Sequence, residues 1–144
     1  MPVGAHGIAV CADIEENELN LKELDGVVLP GGMPGTTNLE ASDVVQKAVA
    51  CAVANNLLVA AICAAPSVLG HGGYLRNKKA TCYPGFEGEL SGATVLSAYT
   101  VTDGKIITAT GAGAAVPFGG ALVSVLCGDA VSKELLKAFR YTDV

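Results

Sequence analysis

The stretch Leu58-Val59-Ala60-Ala61-Ile62-Cys63-Ala64-Ala65-Pro66 decides the fold. Its first five residues are apolar without alternation, as in a parallel strand covered on both faces. They run directly into a thiol and then into a proline suited to a first helical turn. A strand that turns sharply into a helix with a nucleophile at the corner is an elbow. The turn lifts the side chain into a cleft and aims backbone N–H groups of the following helix at it, which favours a thiolate or an oxyanion there. Small side chains at Ala61, Ala64 and Ala65 permit the tight turn. The Ala64 N–H is then one expected oxyanion donor, and a second should come from a neighbouring loop. Leu29-Pro30-Gly31-Gly32 supplies that loop, with glycine letting two backbones approach closely.

Working outward from the elbow, apolar and β-branched runs alternate with helical periodicity. Gly7 to Ala12 reads as a short strand, and Gly26-Val27-Val28-Leu29 as a second, apolar on both faces and ended by Pro30-Gly31-Gly32. From Ser42, the spacing of Val45, Ala48, Val49, Ala52 and Val53 predicts a helix, with Ser42 as its N-cap and Asn55-Asn56 as its stop. Leu57 to Ile62 is the third strand, and a short helix from Ala65 to about His71 leaves through Gly72-Gly73. Lys79 to Cys82 reads as another strand. Asp103-Gly104 lies between Thr100-Val101-Thr102 and Ile106-Ile107-Thr108, which predicts an antiparallel hairpin. Gly111 and Gly113 mark a loop before helices from about Val116 to Leu126 and about Asp129 to Phe139. The pattern is α/β, a mostly parallel sheet with helices on both faces, in one domain over residues 1–144.

Composition narrows the function classes. A net charge of −5 with no lysine or arginine cluster argues against nucleic acid as a partner, because phosphates need a basic face. Apolar residues make up 51% and charged ones only 16%, so part of the apolar surface is expected to be covered by a second subunit. No apolar run reaches spanning length and the first residues lack a basic segment before an apolar one, so the expected location is cytoplasmic, away from membrane. The cysteines at 11, 51, 63, 82 and 127 form no Cys-x-x-Cys pair and have no histidine at metal-ligand spacing; reduced thiols and no metal are expected. Apart from Cys63, each sits in apolar company and reads as a small buried hydrophobe.

Four segments together carry a family likeness. Val27-Val28-Leu29-Pro30-Gly31-Gly32, the elbow Ala61 to Pro66, Ala80-Thr81-Cys82-Tyr83-Pro84-Gly85-Phe86-Glu87 and Asp103 to Thr108 resemble the ThiJ/PfpI superfamily, over the whole chain and in the expected order. The branch is that of the parkinsonism-associated deglycase and its bacterial relatives. The resemblance implies a flavodoxin-like three-layer sandwich, usually dimeric, with Cys63 as nucleophile and the backbone of Gly31, Gly32 and Ala64 as the oxyanion site. Tyr83 stands where some members place a histidine and is expected to line the site, so no His base is available there. Cys11 resembles a family cysteine near the dimer contact.

The same resemblance implies a missing piece. The family begins with strand, helix and strand, the first strand leading into a glutamate that shares a proton with the elbow cysteine, and this chain starts after that point. The fold is therefore expected to be incomplete at its N-terminus, with the absent segment a further partner. Glu15, Glu16 and Glu18 belong to the acidic run 13–18, which reads as a solvated loop and not as a substitute. His6 and His71 are read as structural or solvated.

Three functions follow. One is a cysteine enzyme of glyoxalase or deglycase type, acting without cofactor on small α-oxoaldehydes or on glycated proteins. The second is a redox-responsive or chaperone-like protective protein without turnover. The third is an inactive remnant. General acid–base chemistry on an aldehyde needs a proton donor and acceptor near the reacting carbon, so the absent glutamate weighs on the first. Oxidation of a thiol to sulfenic or sulfinic acid survives its loss better.

Overall fold

A computed structural model describes residues 1–142. Its central sheet has four strands in the order β1-β2-β6-β5. These are β1 (Gly26–Leu29), β2 (Leu58–Ile62), β5 (Thr100–Asp103) and β6 (Ile106–Ala109). The pairs β1–β2 and β2–β6 are parallel, and β5 joins β6 antiparallel through the Asp103-Gly104 turn, where Gly104 takes φ 65°. A separate pair of two-residue strands, β3 (Lys79–Ala80) and β4 (Thr94–Val95), is parallel.

The uninterrupted apolar character of β2 follows from its place in the middle of three layers. Val59 and Ala61 pack toward Val49 and Ala52 of α2 (Asp43–Ala54) and toward Val68 and Leu69 of α3 (Pro66–His71). Leu58 and Ala60 pack with Ile107, Ala109 and Phe118, the last from α4 (Ala115–Cys127). α5 (Asp129–Ala138) lies on α4, where Leu136 meets Gly120 and the Ser132 hydroxyl donates to the Gly120 carbonyl at 2.7 Å. The expected α/β sandwich with helices on both faces is therefore present. β1 departs from it in part: Val28 stays 45% exposed, so this strand, an edge among the described residues, is not covered on both faces.

Most boundaries fall where the sequence puts them, for local reasons. The Ser42 hydroxyl accepts from the Val45 N–H at 3.3 Å and opens α2; Asn56, at φ 53°, closes it. Ahead of it lies a helix the periodicity does not announce, α1 (Gly35–Ala41), whose first turn, Gly35-Thr36-Thr37-Asn38, is built from poor helix formers.

Three expectations need correction. Gly7 to Ala12 is not a strand of the sheet. Residues 1–18 are exposed, and the first ten fold back on themselves around Gly7, with one bridge between Val3 and Ala9 and a bond from the Val10 N–H to the Pro2 carbonyl. The strand at Lys79 stops at Ala80, because the Thr81 N–H turns to the Thr108 hydroxyl at 2.9 Å instead of a neighbouring carbonyl. Of the four cysteines read as buried, only Cys82 is; Cys11 and Cys127 are exposed and Cys51 is half-buried. The acidic run is exposed as expected, but it is tethered. Ser42 donates to the Glu16 carboxylate at 3.1 Å and the Glu15 N–H to that of Glu18 at 2.7 Å.

Candidate functional site

The corner between β2 and α3 is occupied by Cys63 at φ 65°, the left-handed region that a residue with a Cβ rarely adopts. Holding it there costs about 1–3 kcal/mol, which surrounding bonds must offset. They do so from three sides. The Cys63 N–H donates to the Ala109 carbonyl at 2.9 Å, continuing the β2–β6 ladder past the end of the strand. Its carbonyl accepts from the Tyr83 N–H at 2.8 Å, and the Ala65 N–H closes the turn onto the Ile62 carbonyl at 3.2 Å. Cys63 itself is half-buried.

Opposite the corner lies the loop after β1. A Cβ built on Gly31 would sit 2.6 Å from the Cys63 Cβ, 2.6 Å from the Ile62 carbonyl oxygen and 3.2 Å from the Ala64 nitrogen. Only glycine fits against the elbow at that range. Gly32 follows at φ 88°, and its carbonyl accepts from both the N–H and the hydroxyl of Thr36, at 2.8 and 3.0 Å. Thr36 is buried, and these two hydrogen bonds tie the loop to the first turn of α1. The structure places Gly31, Cys63 and Ala64 side by side, and beside them Thr36, which the sequence reading did not name because its bond to a partner four residues back shows only in the bent backbone. The N–H groups of Gly32 and Ala64 have no hydrogen-bond acceptor among the described residues.

Tyr83 lies next to the corner: its N–H donates to the Cys63 carbonyl, and its side chain is half exposed. A Cβ at Gly111 would meet the Tyr83 ring at 3.4 Å. Thr110 fixes the same segment by donating to the Cys82 carbonyl at 3.0 Å. Burial, with the nearby Glu87 charge second, pushes the Cys82 thiol up to about 11, so it stays protonated near neutrality. An open cavity of about 530 Å³ lies beyond this segment, lined by Thr81, Cys82, Glu87, Leu96 and Tyr99 among others, and Cys63 is not part of its wall.

His6 is exposed, and His71 is a bridging residue. Its Nδ1 lies 2.5 Å from a Glu40 oxygen and its Nε2 2.7 Å from a Glu89 oxygen. Hydrogen bonding to Glu89 and then to Glu40 holds the ring's pKa above 6.5, against a smaller opposing effect of burial. No group of three or more His, Cys, Asp or Glu among the described residues is arranged to hold a metal ion. No helix among them is long and apolar enough to cross a membrane.

Comparison with known proteins agrees with this geometry. The model of the DJ-1/PfpI family matches residues 1–125. Protein DJ-1 homolog B of Arabidopsis thaliana is 37% identical over 132 residues, covering 90% of this chain and 30% of its own length. A deglycase of Pyrococcus horikoshii is 35% identical over 111 residues, 73% of this chain and 64% of its own. A glutathione-independent glyoxalase of Caenorhabditis elegans is 29% identical over 136 residues, 92% and 72%. The chain thus spans about a third of the plant relative and under two thirds of the archaeal one. Among solved structures, a mutant of a DJ-1 superfamily protein from Salmonella typhimurium superposes with a TM-score of 0.90 at 32% identity. That match covers 98% of this chain and 77% of the other. With the elbow, the glycine loop and the sheet order in place along the length the family model matches, the chain belongs to the DJ-1/PfpI family.

Proposed function

We propose that this protein is a cysteine-dependent, cofactor-independent glyoxalase or protein deglycase, acting on α-oxoaldehydes or their protein adducts in stress protection, as a cytoplasmic homodimer. The observation that carries the reading is Cys63 held at φ 65° against a glycine that leaves no room for a side chain. Strain of this kind persists where surrounding structure over-determines it, and here the bonds to Ala109 and Tyr83 do so. Relatives named as a deglycase and a glutathione-independent glyoxalase support the substrate class.

In this reading the Cys63 sulfur adds to the aldehyde carbon, forming a C–S bond while the carbonyl π pair moves onto oxygen. The N–H groups of Gly32 and Ala64, free of other acceptors, receive that oxygen. Tyr83 borders the adduct. Turnover then needs a proton carrier beside the former aldehyde carbon.

A second reading is supported by the hydrogen bonds of Cys63. Among the described residues no carboxylate or imidazole hydrogen-bonds it, which suits a thiol that is oxidised or adds reversibly without turnover. Methylglyoxal consumption without added cofactor separates the two. The wild type is expected to consume it, and Cys63→Ser to lose about 100-fold or more of the rate, as nucleophile removal does elsewhere. A Cys63→Ser protein that keeps half the rate overturns both readings. A wild type that consumes none, yet gains a sulfinic acid at residue 63 under mild peroxide, selects the second.

A further inference from the structure

Three elements around the elbow meet at one side chain outside it. His71 is the last residue of α3, Glu40 lies in the last turn of α1, and Glu89 ends the 3-10 turn Glu87–Glu89. An ionised carboxylate only accepts hydrogen bonds, so a ring with a carboxylate on each nitrogen must donate from both, which only the imidazolium does. The charged groups acting on the ring are these two, one from α1 and one from the turn; α3 brings no other titratable side chain.

The two flanks differ. A Cβ on Gly70 would fall 2.1 Å from the Glu89 carbonyl oxygen, so α3 and the 3-10 turn are pressed backbone to backbone whatever the ring does. On the other flank the ring reaches α1 through Glu40. α1 in turn is fastened at its first turn to Gly32 by the two bonds from Thr36. Gly31, next along the loop, packs against Cys63 with no spare space. The seating of α1 therefore sets where the Gly31–Gly32 backbone stands relative to the thiol.

We propose that His71 is a positioning residue for the Cys63 site, a proton-controlled clasp that seats α1 and its glycine loop against the elbow by bridging Glu40 and Glu89. The proposal rests on the reading of Cys63 as the reactive thiol and names a regulation of it. A neutral ring donates from one nitrogen only and releases one carboxylate. Because the ring's pKa is raised above 6.5, the bridge is complete below that value and is lost as pH climbs through the raised one.

The test follows the His71 ring and the Gly32 amide by NMR between pH 5.5 and 9 in the full chain, together with the alkylation rate of Cys63 by iodoacetamide. The expected result is a Gly32 amide that titrates with the ring, above pH 6.5, and loses that transition in His71→Gln. The ratio of wild-type to His71→Gln alkylation rates cancels the thiol's own titration, and it should step by about three- to tenfold at the same pH, as coupling through packed elements does. Glu40→Gln keeps a hydrogen-bonding partner but removes a charge, so it should move the step to lower pH without abolishing it. That variant carries the test if His71→Gln fails to fold. A Gly32 amide indifferent to the ring's titration, or a rate ratio flat across the range, overturns the clasp. A Cys63 that alkylates in neither protein at any pH sinks the thiol reading instead, and the Gly32 titration still decides the clasp.

Discussion

Gly31 is the residue at which the site is least forgiving. Its two short approaches are to backbone and to a Cβ, neither of which can swing away as a flexible side-chain end would. Gly31→Ala should therefore push the loop off the elbow and cost about 2 kcal/mol, within the range for overpacking. A urea melt measures this, with a shift in midpoint at unchanged slope; an unchanged midpoint would show that the loop relaxes freely. Legibility at this scale divides by chemistry. Gly31, Cys63 and Ala64 could be read because a sharp strand-to-helix turn needs small residues and a glycine loop opposite it. Thr36 and the Glu40–His71–Glu89 bridge could not, because the last joins residues 31 and 18 positions apart that only the fold brings together. Exposed Cys11 and Cys127 were misread because apolar neighbours in sequence say nothing of which surface they cover.

At the level of elements, β2 and α2 were legible for opposite reasons. β2 is covered on both faces and so shows no alternation, whereas α2 is covered on one and shows helical spacing with a serine at its start. Ser42 does two jobs: it caps α2 and donates to Glu16, which anchors the segment before β1. Ser42→Ala should lower stability by about 1 kcal/mol, the usual effect of losing a cap, and should raise amide exchange at both Val45 and Glu18, whose N–H donates to the Glu15 carbonyl in the tethered turn. Faster exchange at Val45 alone would show that the Glu16 tether carries no weight. α1 escaped notice because its first turn is poor in helix formers; the two Thr36 bonds to the Gly32 carbonyl four residues back are local support that depends on the bent backbone at Gly32, which propensity does not include. The turn at Gly7 was misread because Ile8, Val10 and Ala12 alternate as strand residues do, yet pair only with the segment just before them.

Across the whole molecule, the apolar excess of the composition reappears as two sets of uncovered side chains. Val3, Ile8, Val10 and Ile14 in the first segment are half or more exposed, and so are Leu126, Val131 and Phe139 near the ends of α4 and α5. The proposed homodimer would cover one such set. Light scattering at micromolar concentration should give twice the monomer mass, and Ile8→Lys with Val10→Lys should return it to one if the first segment forms the contact. A monomer mass for the wild type would remove the dimer from the proposal. The order of strands in the sheet was legible only in outline. Alternating strands and helices imply a parallel sheet, but which strand lies at an edge depends on long-range pairing that no local pattern encodes.

The left-handed backbone at Cys63 has a consequence for how such a chain can change over generations. Glycine, and less readily asparagine, is at ease in that conformation, and either would relax the corner while discarding the sulfur. Mutation under selection for folding alone would therefore drift away from a thiol at this position. Libraries of this chain screened only for solubility or heat resistance would be expected to lose the cysteine first, along with the activity proposed for it.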